Sequence, residues 1–253
     1  MIRAGRAVSW LIALGLVLAG VLVASPAAAQ EISINLGEGG SLTGRVVQLI
    51  LLLTVLSLAP SILIMATSFT RIVVVLSVLR SALGTQQTPP NIVLISLALF
   101  LTGYIMAPTL EAAYEAGIEP LINEEIDEQQ AFERASEPLK AFMLANVREK
   151  DLMLFLDMAG EQPPTEAADT PLRALVPAFM ISELRRAFEI AFLLYVPFIV
   201  IDLVVASVLM AMGMMMLPPV LISLPFKLIF FVLVDGWHLL ASSMVQSFAT
   251  GVP

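Results

Sequence analysis

Four apolar runs, residues 46–65, 91–108, 187–212 and 220–244, constrain this chain before any other feature. Each approaches the roughly 20 residues an α-helix needs to cross about 30 Å of hydrocarbon. Backbone groups in lipid have no water to bond, so such runs must fold as helices with internal hydrogen bonds. The composition agrees: 58% of residues are hydrophobic and 13% charged, against about 25% charged in an ordinary soluble domain. The expected fold class is all-α, built of integral membrane-type helical hairpins with kinked helices.

The first 29 residues read as a secretory signal. Arg3 and Arg6 form a positive start, residues 10–23 an apolar stretch, and Ala27 and Ala29 flank Ala28 at a cleavage point before Gln30. The competing reading is an uncleaved transmembrane helix. Cleavage starts the mature chain outside the cytoplasm. The sequence has no cysteine, which removes disulfides, thiolate metal sites and cysteine nucleophiles.

A short polar lead, residues 30–45, precedes a first hairpin over residues 46–108. Pro60 falls inside the first apolar run and is expected to kink or break it. Arg71 and Arg80 are the only charges between the first two runs, which places that connection on the cytoplasmic side. Residues 109–172 differ in kind. From Glu111 to Pro171 there are fifteen Asp or Glu against Arg134, Lys140, Arg148 and Lys150. Phe132, Leu139, Phe142, Met143, Leu152, Phe155 and Leu156 recur there at helical spacing, so amphipathic helices are expected. "GEQPPTEAADTP" reads as a linker. With a cleaved signal, this acidic helical domain lies on the periplasmic side. A second hairpin occupies residues 173–247 and a tail residues 248–253. Arg185 and Arg186 then fall at the outer end of the third run, against the positive-inside rule.

Four polar residues, Asp202, Lys227, Asp235 and His238, interrupt the last two runs. A charge at bilayer depth costs at least ~2.5–3.5 kcal/mol, so these groups need partners or water. One reading is a proton or ion path. The other is pairing with Glu183, Glu189, Arg185 or Arg186, within or between subunits, which fixes register without transport. His238 follows Asp235 by three residues and can face it on one helix, but a lone histidine builds no metal site. G-x-S-x-G, H-E-x-x-H and P-loop patterns are absent from the sequence. Asp202 and Asp235 also lack the flanking pattern of an intramembrane aspartyl protease. No catalytic residue, metal site or cofactor is expected, and the chain reads as a non-enzyme.

"MAMGMMMLPP" gathers Met210, Met212, Met214, Met215 and Met216 between the last two runs. Gly213, Pro218 and Pro219 break the helix there, leaving a loop at a hairpin tip. Methionine is flexible and polarisable, so such a loop can fill irregular gaps or form a surface that repacks. Repeated around a ring, the loops could close a pore by excluding water.

"PAFMISELRRAFEIAFLLYVPFIVIDLVVASVLMAMGMMMLPP" and "LPFKLIFFVLVDGWHLL" closely resemble the FliP family of the flagellar type III export gate. "SLAPSILIMATSFTRIVVVLSVLRSALGTQQTPPNIVLISLALFLT" and "EKDLMLFLDMAG" support this, so the resemblance covers essentially the whole mature chain. Ala191 stands where many members have glycine. Injectisome relatives share much of the pattern, and the signal with "SFTRIVVVLSVLR" favours the flagellar branch. The resemblance implies a pentamer assembling with FliQ and a single FliR into a right-handed helical cone. FlhB wraps that assembly and FlhA lies beneath it, in the inner membrane at the flagellar basal body. It implies a portal for unfolded flagellar subunits, with a methionine gasket of Met214, Met215 and Met216 adjoined by Met210 and Met212. It implies inter-subunit ion pairs at Glu183 and Lys227, with Asp202, Asp235, Arg185 and Arg186 as further members. No nucleic-acid partner is implied. Two rivals remain: a lone proton-coupled transporter built on Asp202, Lys227 and Asp235, and an assembly factor that lines no pore.

Overall fold

The computed structural model describes residues 42–249 apart from 163, 165, 167, 168 and 215. The signal, its cleavage point, most of the polar lead and Met215 lie outside the described residues. The chain divides into two units, residues 1–54 and 55–253. Of the first, only the start of a helix is described, and all packing below belongs to the second.

Helix α1 (Leu42–Met65) runs without interruption through Pro60, where the sequence predicted a kink or a break. Proline is tolerated in membrane-type helices because small backbone adjustments and neighbouring groups satisfy the carbonyl it frees. Helix α2 (Phe69–Leu83) buries Ile72, Val75, Leu76 and Leu79 on one face. It ends at Gly84, whose φ of +76° suits glycine and whose N–H reaches the Ser81 carbonyl at 3.1 Å. Helix α3 (Asn91–Ala113) continues through a π-turn (Tyr114–Ile118) into the short α4 (Glu119–Ile122). Gly117 in that turn lies against the next helix. A Cβ there would stand 2.5 Å from the Ala131 carbonyl oxygen and 2.7 Å from the Ala135 Cβ.

The acidic segment forms α5 (Glu128–Asn146) and α6 (Glu149–Ala159). Asp127 caps α5 by accepting the Gln130 N–H at 2.8 Å. Both helices pack against the long helices rather than forming a unit of their own. Met143 and Leu156 are buried there, whereas Phe132, counted among the expected apolar face, is exposed.

Helix α7 (Leu172–Ala211) is a single helix of 40 residues. At 1.5 Å per residue it is about 60 Å long, twice the hydrocarbon thickness. Residues 190–211 carry Asp202 as their only charge, while Arg173, Glu183, Arg185, Arg186 and Glu189 all lie in the earlier half. The stretch poor in charge and long enough to cross the bilayer thus begins just after Arg185, Arg186 and Glu189, and the helix continues about 27 Å before it.

Helices α8 (Pro219–Leu233) and α9 (Gly236–Ala249) replace the expected fourth continuous run, and their axes bend by 61°. Asp235 sits in the break with a left-handed φ of +49°, a conformation Asp adopts more readily than most residues. Gly236 follows it with no room for a side chain: a Cβ would meet the Phe231 ring at 2.2 Å. Among the described residues, Asn91–Ile122 and Leu172–Ala211 are long and apolar enough to cross a membrane, with the bent α8–α9 pair as a possible third. The described residues form helices, turns and loops only, so the fold is all-α.

The main core lies where α2 packs along α7, closed by α8 and α9. It includes Ile72, Leu76, Leu79, Ala187, Phe198 and Met244. A second cluster, Ala66, Met143, Leu175 and Phe179, joins α5 to the start of α7. Asp151 stitches α6 to the same region. Its Oδ2 accepts the Ser182 hydroxyl at 2.7 Å and the Arg148 Nε–H at 2.8 Å. Burial pushes this carboxyl up, but Ser182 and Arg148 outweigh it and hold the group below its ordinary value of 3.8. A depressed carboxyl contributes stability above its unfolded value and loses it as pH falls through the folded one. Asp151→Asn is expected to lower stability by about 1.5–3 kcal/mol at neutral pH. Thermal unfolding in detergent should show that gap closing as the pH falls below about 4. A gap independent of pH would contradict this role.

Candidate functional site

The polar groups of the apolar helices gather at two places, both along the α2–α7 seam. At the first, Arg71 on α2 meets Glu183 on α7, with side chains 1% and 0% exposed. Arg71 Nε donates to Glu183 Oε2 at 2.8 Å, and Nη2 donates to Oε1, a two-pronged contact. Nη1 turns to α9, donating to the Ser247 hydroxyl at 3.0 Å. The guanidinium also lies 3.6 Å from the centroid of the Phe248 ring, whose electron-rich face attracts a cation. One side chain thus ties α2, α7 and α9 together.

At the second place, Lys227 on α8 is 3% exposed and donates to Asp202 Oδ2 at 2.7 Å. It also donates to the Ala82 carbonyl at 3.0 Å, one of the last-turn carbonyls that a helix leaves without an internal partner. Ser223 donates to Asp202 Oδ1 at 2.5 Å. This cluster joins the end of α2 to α7 and α8, so α2 and α7 run in the same direction.

Glu183 and Lys227, which the resemblance assigns to contacts between subunits, therefore find partners within the chain. Asp202 does as well. The reason is burial: an ion this deep in apolar packing requires a fixed counter-charge at the moment the helices close. Arg185 pairs with Glu189 one turn away at 2.7 Å, and both are exposed. Asp235 is exposed in the α8–α9 break, where its carbonyl accepts the Leu239 N–H at 3.1 Å, and His238 is exposed in the first turn of α9. The described residues include no group of three or more His, Asp or Glu able to hold a metal.

The methionine segment ends α7 in a Schellman motif. The Gly213 N–H reaches the Met210 carbonyl and the Met214 N–H the Leu209 carbonyl, each at 3.0 Å, with Gly213 at φ +74°. Pro218 and Pro219 then start α8, where proline loses no hydrogen bond. The pairs Phe198–Phe230, Asp202–Lys227 and Asp202–Ser223 converge in number toward this turn, as in an antiparallel hairpin. Met216 is 98% exposed at the tip, Met210 and Met212 are exposed on the end of α7, and Met214 is half-buried. Behind the turn, an apolar groove of about 610 Å³ lies between α7 and α8, lined by Val204, Val208, Met212, Ile222 and Phe226 among others.

Sequence reasoning missed Arg71 as a structural cation, having read it as a mark of topology. Ser223, Ser247, Phe248 and the Asp151–Ser182 contact also escaped it, and Phe248 fell in the expected tail. One signal was present for Arg71: an arginine within the apolar stretch "TRIVVVL" needs an acid, and Glu183 is the acid within "MISEL".

The fold and these contacts define an all-α protein of membrane type, with its deepest charges neutralised inside the helix packing and methionines displayed at a hairpin tip. The FliP family matches residues 52–244. A flagellar biosynthetic protein FliP from Caulobacter vibrioides is 64% identical over 231 residues, covering 91% of this chain and 87% of that protein. Proteins of the same name from Rhizobium meliloti and Bacillus subtilis are each 56% identical. The first alignment covers 85% of this chain and 89% of the relative, the second 80% and 91%. The chain belongs to the FliP family.

Removing one member of a buried pair strands the other, which typically costs about 3–5 kcal/mol, whereas replacing both by apolar groups can be nearly neutral. Arg71→Met and Glu183→Leu should each lower the melting midpoint in detergent strongly. The double variant should recover most of that loss. Simply additive effects would show that the pair is not coupled.

Proposed function

We propose that this chain is a core subunit of the flagellar type III export gate, helping to form the portal through which unfolded flagellar subunits cross the inner membrane. Family membership and the membrane-type helices support the setting. The observation that carries the gating part is the hairpin tip, where α7 stops, α8 begins and Met216 stands almost wholly in the open. Thioether side chains can conform to a passing chain and close behind it, and a ring of apolar groups resists water and ions by dewetting.

In this reading several copies, five by family resemblance, assemble with FliQ and FliR into a helical cone, with FlhB and FlhA adjacent and the acidic α5–α6 segment on the periplasmic side. The protein is not an enzyme: it supplies a passive conduit, and energy comes from elsewhere in the apparatus. Asp202 fits a structural bracket better than a proton path, because both its oxygens are already engaged by Lys227 and Ser223. Contacts between copies then fall to exposed charges such as Arg185, Glu189 and Asp235, with Arg186 beside them. Met210 and Met212 extend the gasket along the end of α7.

Met214→Ala, Met215→Ala and Met216→Ala combined should raise the leak of small ions through the assembled gate while export continues. Ion conductance of cells or of reconstituted vesicles measures the first and secreted flagellar subunits the second. An unchanged leak would sink the gasket.

A further inference from the structure

The connection between α2 and α3 carries a charge that neither buried cluster uses. Arg80, in the last turn of α2, is the only charged residue between Arg71 and Glu111. Its guanidinium is fixed from one side. Nη1 donates to the Pro89 carbonyl at 3.2 Å and to Asn91 Oδ1 at 2.5 Å. Among the described residues, the ion pairs engage Arg71, Arg148, Arg173, Arg185 and Lys227, and no carboxylate meets Arg80. Its Nε and Nη2 donors, the edge that grips phosphates and carboxylates in two-pronged fashion, make no hydrogen bond among the described residues. They belong to a residue lining a cavity of about 400 Å³, together with Gln86, Gln87, Pro90 and Asn91. Unlike the groove behind the methionine turn, this cavity is walled mainly by polar side chains.

Its position narrows the ligand. The cavity opens where α3 begins, and α3 heads one of the stretches long enough to cross a membrane. The end of a span lies at the depth of lipid headgroups. Just beyond, Ile92 and Phe100 expose apolar surface along the same helix, a path for acyl chains beneath a headgroup. The chain as a whole is acidic, at −8, so any attraction for an anion here is local to this side chain.

We propose that the cavity binds the phosphate of an anionic phospholipid headgroup, gripped by Arg80 and bordered by the amides of Gln86 and Gln87. The site rests on α3 lying in a membrane and is independent of the portal reading. Arg80 is pre-organised for this task, because its contacts to Pro89 and Asn91 set the guanidinium plane and leave its two-donor edge unused.

The test uses the full chain in mild detergent, titrated with dihexanoyl-phosphatidylglycerol, dihexanoyl-phosphatidylcholine and inorganic phosphate, with bound lipid counted by intact mass. Both lipids carry the phosphodiester, but the choline cation of phosphatidylcholine neutralises it and is repelled by Arg80, so phosphatidylglycerol should bind about tenfold more tightly, a difference of roughly 1.4 kcal/mol. Arg80→Gln should abolish the preference. Gln87→Glu, an exposed position where folding is safe, should abolish it too by offering Arg80 an internal carboxylate. Equal binding of the two lipids by the natural chain would overturn the site and leave Arg80 for a partner's carboxylate. A preference that survives Gln87→Glu overturns the role of Arg80, even if Arg80→Gln fails to fold. Displacement of the lipid by an equal concentration of inorganic phosphate would overturn the lipid in favour of a free anion.

Discussion

Arg71 and Glu183 hold the position on which the rest of the packing depends. Neither charge can remain alone in apolar surroundings, so α2 and α7 have one register at which both are satisfied. That register brings the buried face of α2, Ile72 to Leu79, onto α7. It also leaves the Ala82 carbonyl within reach of Lys227 and seats Phe248 of α9 over the guanidinium. Hydrophobic burial supplies most of the driving force, but it is non-directional. Among helices this apolar all round, the paired charges select which of many similar packings is adopted.

The same seam supports the hairpin tip. Asp202, bracketed by Lys227 and Ser223, fixes α7 against α8 about 15 Å before the turn. From there α7 runs to its glycine stop with its last carbonyls satisfied. The methionine turn is therefore displayed on a braced pair of helices. A seal needs both properties, with soft side chains that deform and a rigid base that returns them to the same place. The break at Asp235 and Gly236 turns α9 back toward α2, which brings Ser247 and Phe248 to Arg71.

How much of this could be read from the sequence follows the range of each interaction. The turn at the end of α7 is written locally, in Gly213 and in Pro218–Pro219, and the helical class is written in the apolar runs. The Arg71–Glu183 contact spans 112 positions, and nothing local to either residue names the other. Pairing of Glu183 within or between subunits was expected from its residue type, but its partner in α2 was not named. The α8–α9 break had no proline to announce it. Its local mark is the Asp-Gly dipeptide at 235–236, a turn signal hidden within a run that hydropathy alone reads as continuous. At Pro60 the break that the local rule allowed does not occur, since proline is tolerated within apolar helices of this kind.

The central claim is that export substrates pass the methionine tip. The most direct measurement places a photo-crosslinking amino acid at Met216 in the assembled gate and arrests an export substrate that carries a folded, untransportable domain. The account predicts a crosslink between position 216 and the arrested chain, lost when the substrate lacks its export signal. A substrate that reaches arrest and forms no crosslink at 216, while crosslinking to other gate components, would contradict it.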